Sequence, residues 1–386
     1  MSRPSCCRRR TVACSLAVLA LGCSLAVNPA WAQRARQAPQ SGQSSQSDAT
    51  PGQWTVEVYG GWHIGSGSTS GTPSVGFPPG ETFITRSGFP SRSVHSWYFG
   101  DGALLFNQVN AQFASRFAQV FDEITPLDDL LGSAGARRQS GGAFGVRLTR
   151  VLSSRLGVEV SVGRNTGSQE LTTEARDAVE ATRASFETAF TGLLNTVPQT
   201  GLGVTSTVNV VEPGGASTLL SGALVFSLAR RERLEAYAVA GVGRIFGGSE
   251  ALEVRLRGNY EFSIFGMFPI NETDEVTMRV TGDDGATVGV FGGGVTYAFS
   301  PRHGLRVDLR LLAGGNGTQV SVKATPSVSP TNLSAFLPSN TDPSLQFSTD
   351  PSVRSSLSGG PLEQTTFRGS GLDVRPQFTV GYFFRF

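Results

Sequence analysis

The sequence predicts an all-β chain: an eight-stranded antiparallel up-and-down transmembrane β-barrel with long extracellular loops, two of them containing short helices. Three observations carry this reading. Residues 372–386 alternate apolar and polar, with Leu372, Val374, Phe378, Val380, Tyr382, Phe384 and Phe386 on one face and Asp373, Arg375, Gln377, Thr379 and Arg385 on the other. A period of two is the mark of a strand between two environments. Short and long connections alternate strictly along the chain, the order of a barrel with short periplasmic turns and long outer loops. After the leader, no segment approaches the ~18 consecutive apolar residues of a membrane helix. A chain that spans lipid without helices must close into a barrel, because nothing else satisfies its backbone groups there.

Residues 1–32 read as a secretory signal peptide. Arg8, Arg9 and Arg10 form the basic region, 11–27 the apolar region, and Ala30-Trp31-Ala32 a small-x-small site cleaved after Ala32. Cys23 fits a lipoprotein site poorly, and the arginine triplet fits an ordinary leader better than twin-arginine export. All four cysteines lie in the leader. The mature chain therefore has no disulfide and no thiolate metal site. Cleavage also removes four arginines, leaving 28 basic residues against 30 acidic ones. That balance excludes a basic field for nucleic acid. Residues 33–53, rich in Gln, Ser, Ala and Pro, read as a disordered periplasmic lead-in. The barrel takes 54–386.

The first strand starts at Trp54, with Trp54, Val56, Val58, Trp62 and Ile64 on one face and Thr55, Glu57, Tyr59 and His63 on the other. Three strand–turn–strand segments follow, at 143–164, 220–245 and 287–312, with turns near Ser153-Ser154, at Arg230-Arg231-Glu232, and from Ser300 to Gly304. The turns are hairpin-sized. Between the pairs lie long connections at 65–142, 165–217, 246–286 and 314–371. In the first, Phe106, Val109, Phe113, Phe117, Val120 and Ile124 recur at three and four; in the second, Val179, Phe186, Phe190, Leu193 and Val197 do. Both predict amphipathic helices, at 106–124 and 179–197. The third connection alternates at Val254, Leu256, Tyr260, Phe262 and Ile264, and again at Val276, Met278 and Val280. These stretches form either a hairpin above the membrane or two further wall strands; eight strands are preferred to ten, because the connection between them is long for a periplasmic turn.

The inner face collects five acids, Glu57, Glu159, Glu235, Asp308 and Asp373, and five arginines, Arg147, Arg306, Arg310, Arg375 and Arg385. An eight-stranded lumen is just wide enough to be filled by side chains. Arginine suits buried pairing because its planar fork meets a carboxylate twice. The expectation is a salt-bridged plug, weighed against a gated ion path through the same charges. No catalytic, cofactor or metal site is expected. Three scattered histidines, His63, His95 and His303, supply neither a triad nor zinc spacing. Gly292-Gly293-Gly294 lacks the helix and Lys-Ser/Thr pair of a phosphate loop and fits a curved wall. Asp283-Asp284-Gly285 lacks the EF-hand ligand repeat and reads as a turn. The sequons at Asn271 and Asn316 read as ordinary loop residues.

On these residues the chain resembles the OmpA-like family of small bacterial outer-membrane β-barrels, over 54–386. The most specific likeness is the ending, where Val380, Tyr382, Phe384 and Phe386 match the family's C-terminal assembly signal. The resemblance implies a bacterial outer-membrane location, contact with outer-membrane lipid and lipopolysaccharide, and handling by the barrel assembly machinery. The loops are longer than in the smallest members, and no peptidoglycan-binding domain follows the barrel. The function expected is non-enzymatic: a monomer with a structural or surface-interaction role, its loops meeting an unknown extracellular partner. The alternative is a small pore or a lipid-modifying barrel enzyme, for which His63 at the rim has no convincing nucleophile and acid beside it.

Overall fold

The computed structural model of the chain describes residues 51–386 apart from 66–69, 75, 85–87, 89, 118–119, 197–198, 249–250, 265–267, 283–284, 329–344, 351 and 358. The leader, most of the lead-in and the Asp283-Asp284 turn lie outside the described residues.

Eight strands close into a barrel: Trp54–His63, Gly141–Val151, Leu156–Thr166, Ala216–Arg231, Leu234–Phe246, Thr287–Ala298, His303–Gly315 and Leu372–Arg385. Each pairs antiparallel with its neighbours in sequence, and the first pairs with the last, Val56 opposite Phe384 and Trp62 opposite Phe378. Closure leaves the wall no free edge. The alternation sorts the faces as the sequence predicts. Val58, Trp62, Phe291, Leu309, Phe378 and Tyr382 are exposed on the outside, while Glu57, Tyr59, Asp308, Gln377 and Thr379 are buried within. An outer surface this apolar is stable only against lipid.

The short connections are four residues or fewer at one end of the barrel. The tightest is Glu232-Arg233, where Glu232 holds φ at 50°, left-handed backbone that a side chain resists. At the other end, the four long connections do not stay as separate loops. Each contributes to one sheet with the order Gly71–Pro73, Leu362–Gly369, Gln319–Ala324, Phe268–Thr281, Leu252–Ile264, Gln199–Val211. The 252–281 hairpin thus stands beyond the barrel and adds no wall strand. A second sheet joins Pro90–Val94 to Val353–Leu357 in parallel. The sequence reading anticipated only helices and one hairpin here, and missed both sheets.

Two long helices, with a short one at Asp128–Leu131, cover this region. Thr173–Leu194 starts where Thr172 caps it by accepting from the Ala175 amide, and it buries Val179, Phe186, Phe190 and Leu193. Gly100–Phe117 corrects the expected 106–124. Ile124 is buried, but from a segment outside any helix or strand: Asn107 bonds both its amide and its carbonyl, each at 2.9 Å. Val120 is 92% exposed and belongs to no apolar stripe. Together helices and sheet enclose one apolar core. Phe106 stacks on Phe190 with ring centroids 4.5 Å apart, and Phe190 stacks on Tyr260 at 4.8 Å. Among the described residues, no helix is long and apolar enough to cross a membrane.

Candidate functional site: a charged plug beneath a folded cap

The lumen is filled from both halves of the chain. Glu57, Arg147 and Glu159 come from the first three wall strands, and Arg306, Asp308 and Arg310 from the seventh. Each reaches inward because it occupies the polar phase of its strand. Arg147 bridges Glu57 at 2.7 Å and Asp308 at 2.6 Å, and donates to Thr379 at 2.9 Å. Arg306 reaches Glu159 at 2.9 Å, Asp308 at 3.0 Å and Glu57 at 3.3 Å. Arg310 closes the set on Glu159 at 2.7 Å and Asp308 at 3.3 Å. Three arginines meet three carboxylates, so the plug carries no net charge, and none of the six is more than 6% exposed.

Aromatics hold the network in place. Arg147 lies 3.9 Å over the Tyr59 ring and Arg306 lies 4.3 Å over Tyr237. The Tyr237 hydroxyl accepts from Arg306 Nε at 2.7 Å and donates to Asp308 at 2.5 Å. Two wall glycines give these groups room. A Cβ on Gly381 would lie 2.1 Å from Glu57 Oε1, and one on Gly294 would lie 2.3 Å from the Tyr237 hydroxyl. Gly294 belongs to the triplet read as curved wall; the space it leaves is occupied by a plug side chain. Tyr237 and Thr379 were not singled out from the sequence as plug members. The signal was present, since both occupy inward phases of their strands.

The other four charges of the inner face stand apart. Glu235 is at the short-turn end, bonded to Arg230 at 2.8 Å, with Arg385 4.0 Å away. Asp373 and Arg375 pair with each other at 2.7 Å at the long-loop mouth. Beside them sits Arg138, whose guanidinium is lowered to about 10 by burial and then by the charge of Arg375. The expected single network of ten is thus three groups. Val380, Tyr382, Phe384 and Phe386 lie exposed along the outer wall.

Each histidine has a polar partner. His63 meets the Thr166 carbonyl at 2.6 Å, His95 the Gly360 carbonyl at 3.1 Å, and His303 the Tyr382 hydroxyl at 2.6 Å. Among the described residues, no three His, Cys, Asp or Glu side chains gather as a metal site.

The cap has its own buried polar cluster, which sequence reasoning did not find. Asp274 is fully buried and accepts from the Trp97 amide at 2.6 Å and the Ser96 hydroxyl at 2.9 Å through one oxygen. Its other oxygen has no partner among the described residues. Burial pushes its carboxyl up to about 7, against the two hydrogen bonds. The Tyr260 hydroxyl donates to Glu272 close by.

No family model matches the chain, and no curated protein does. Solved structures of similar fold are outer-membrane proteins. OprG from Pseudomonas aeruginosa is 10% identical with a TM-score of 0.33, over 88% of this chain and 98% of that one. A major outer membrane protein from Thermus thermophilus is 11% identical with a TM-score of 0.29, over 87% and 100%. An outer membrane channel from Pseudomonas putida is 10% identical with a TM-score of 0.22, over 90% and 100%. These likenesses are too slight to speak to role. The chain's own closed, lipid-facing barrel is the architecture of an outer-membrane β-barrel protein.

Proposed function

We propose that this protein is a non-enzymatic outer-membrane barrel that carries a folded domain on the cell surface, its lumen sealed to bulk solute flow. The observation that carries this reading is the neutral plug of Arg147, Arg306 and Arg310 against Glu57, Glu159 and Asp308. A network of buried, mutually bridged ion pairs fills the space between its side chains, and moving one member unbalances the rest. The cap supports the display role. Four loops that share one aromatic core make a defined surface, where independent loops would give a mobile one. Short turns in the periplasm and long connections outside put that surface in reach of an extracellular partner, with lipopolysaccharide around the rim. The outward row Val380, Tyr382, Phe384 and Phe386 supports recognition by the assembly machinery, as the OmpA-like resemblance implies.

Conductance in planar bilayers tests the sealed lumen. The wild-type chain should show no steady open level, while Arg306→Ala with Arg310→Ala should admit current. A large, steady current from the wild type would overturn the reading in favour of a pore.

A further inference from the structure

The short-turn end of the barrel holds a cavity of about 80 Å³. Its floor is the plug, where Glu57 and Arg306 face it with their charges already matched. Its mouth is not matched. Three arginines, Arg155, Arg230 and Arg385, stand there with one carboxylate, Glu235.

Arg385 is the informative one. Its side chain is 12% exposed, and its nearest carboxylate oxygen is Glu235 Oε2 at 4.0 Å. The other oxygen of Glu235 takes both Nε and Nη2 of Arg230, at 2.9 and 2.8 Å. Arg385 stacks on the Phe383 ring at 4.7 Å, and its guanidinium donates no hydrogen bond to any described residue. A guanidinium has five donors in a fixed fork, and those of Arg385 are left to water at the cavity. An anion at the cavity would take those donors in a bidentate, charge-assisted pair. The remaining lining fits the rest of such a molecule, since Leu156, Val225 and Phe383 present an apolar side.

We propose that this vestibule is a blind binding pocket for a small carboxylate with a short apolar body, its carboxylate on Arg385. The excess of arginine at the mouth draws anions in, and the plug beneath stops them. The occupant is a solute from the short-turn side of the membrane. The lead-in at 33–53 is a poor occupant, since it carries two arginines and one aspartate.

The test uses the full mature chain refolded in detergent micelles, with 4-fluorobenzoate as probe and fluorine NMR line broadening as readout. Neutral 4-fluorobenzyl alcohol reports simple partition into the micelle. Benzoate should broaden with the wild type more than the alcohol does. Arg385→Gln should weaken benzoate binding about tenfold, the loss of one charge-assisted pair. Thr149→Phe, which fills the cavity and keeps Arg385, should abolish it. A heat-dependent gel shift confirms that each variant has closed. If Arg385→Gln does not close, Thr149→Phe decides alone. Equal broadening by both probes, or undiminished benzoate binding in whichever variants have closed, would overturn the pocket.

Discussion

The barrel and the cap are built inside out with respect to each other. In the barrel, charges are buried and Trp62, Phe291 and Phe378 face outward. In the cap, Phe106, Phe186 and Phe190 are wholly buried, and Arg183 pairs with Glu180 and Glu187 on the surface. Both regions use alternating strands, so the strand pattern is not what differs. The surroundings differ. Lipid accepts apolar side chains, so a narrow lumen becomes the place for polar ones, whereas a domain in water must hide its apolar face. One chain obeys both rules, changing sign where each wall strand leaves the membrane.

The plug gives the sharpest way to break this contrast. Arg147→Ala leaves three buried carboxylates facing two arginines, and removing one partner of a buried pair costs ~3–5 kcal/mol. The urea midpoint for barrel unfolding in micelles should fall accordingly, with the cap left folded below it. In the cap the equivalent loss is apolar. Phe190→Ala empties the centre of the aromatic cluster and should cost ~3–4 kcal/mol. Proteolysis of the cap should accelerate while the heat-dependent gel shift of the barrel persists. A loss of the gel shift as well would mean that the two regions do not fold separately.

A pH titration sharpens the contrast further. The folded Asp274 carboxyl stands at about 7 against 3.8 for the free side chain. The folded cap therefore binds more protons than the unfolded chain between those values. Asp274's contribution is fully present below about pH 4 and is lost as pH rises through about 7. Trp97 fluorescence, with Trp54 and Trp62 replaced by Phe, should give urea midpoints for the cap that fall over that window. Asp274→Asn should flatten the slope. The smallest effect belongs to the short-turn end. Glu232→Gly removes the cost of a side chain at φ 50° and should raise the unfolding free energy of the barrel by up to about 1 kcal/mol, read as a higher urea midpoint, with no change in the cap.

The two regions were unequally legible in the sequence. The wall was readable because each strand carries its own signal: alternation, a hairpin turn and an apolar outer face. The plug followed from it, since inward phases place Glu57, Arg147, Glu159, Arg306, Asp308 and Arg310 without further information. Where the lumen charges divide into three groups depends on height along the barrel, which alternation does not encode. The cap sheet was hidden for a different reason. Its strands come from four separate connections, and Val353–Leu357 finds Pro90–Val94 across most of the chain. No local pattern announces a pairing so distant. The helix ends failed locally: Ile124 sits at helical spacing from Phe113, Phe117 and Val120, but it lies past the helix end and is held there by Asn107 from within the helix.

The plug also divides by origin. Glu57, Arg147 and Glu159, from the first three strands, sum to one negative charge. Arg306, Asp308 and Arg310, from the seventh, sum to one positive charge. In an unfinished sheet these stand near opposite edges. They meet only when the first strand zips to the last and Glu57 enters the notch at Gly381. The seam and the neutral interior are therefore completed in the same step. Neither half of the plug balances by itself, so its neutrality belongs to the closed barrel alone.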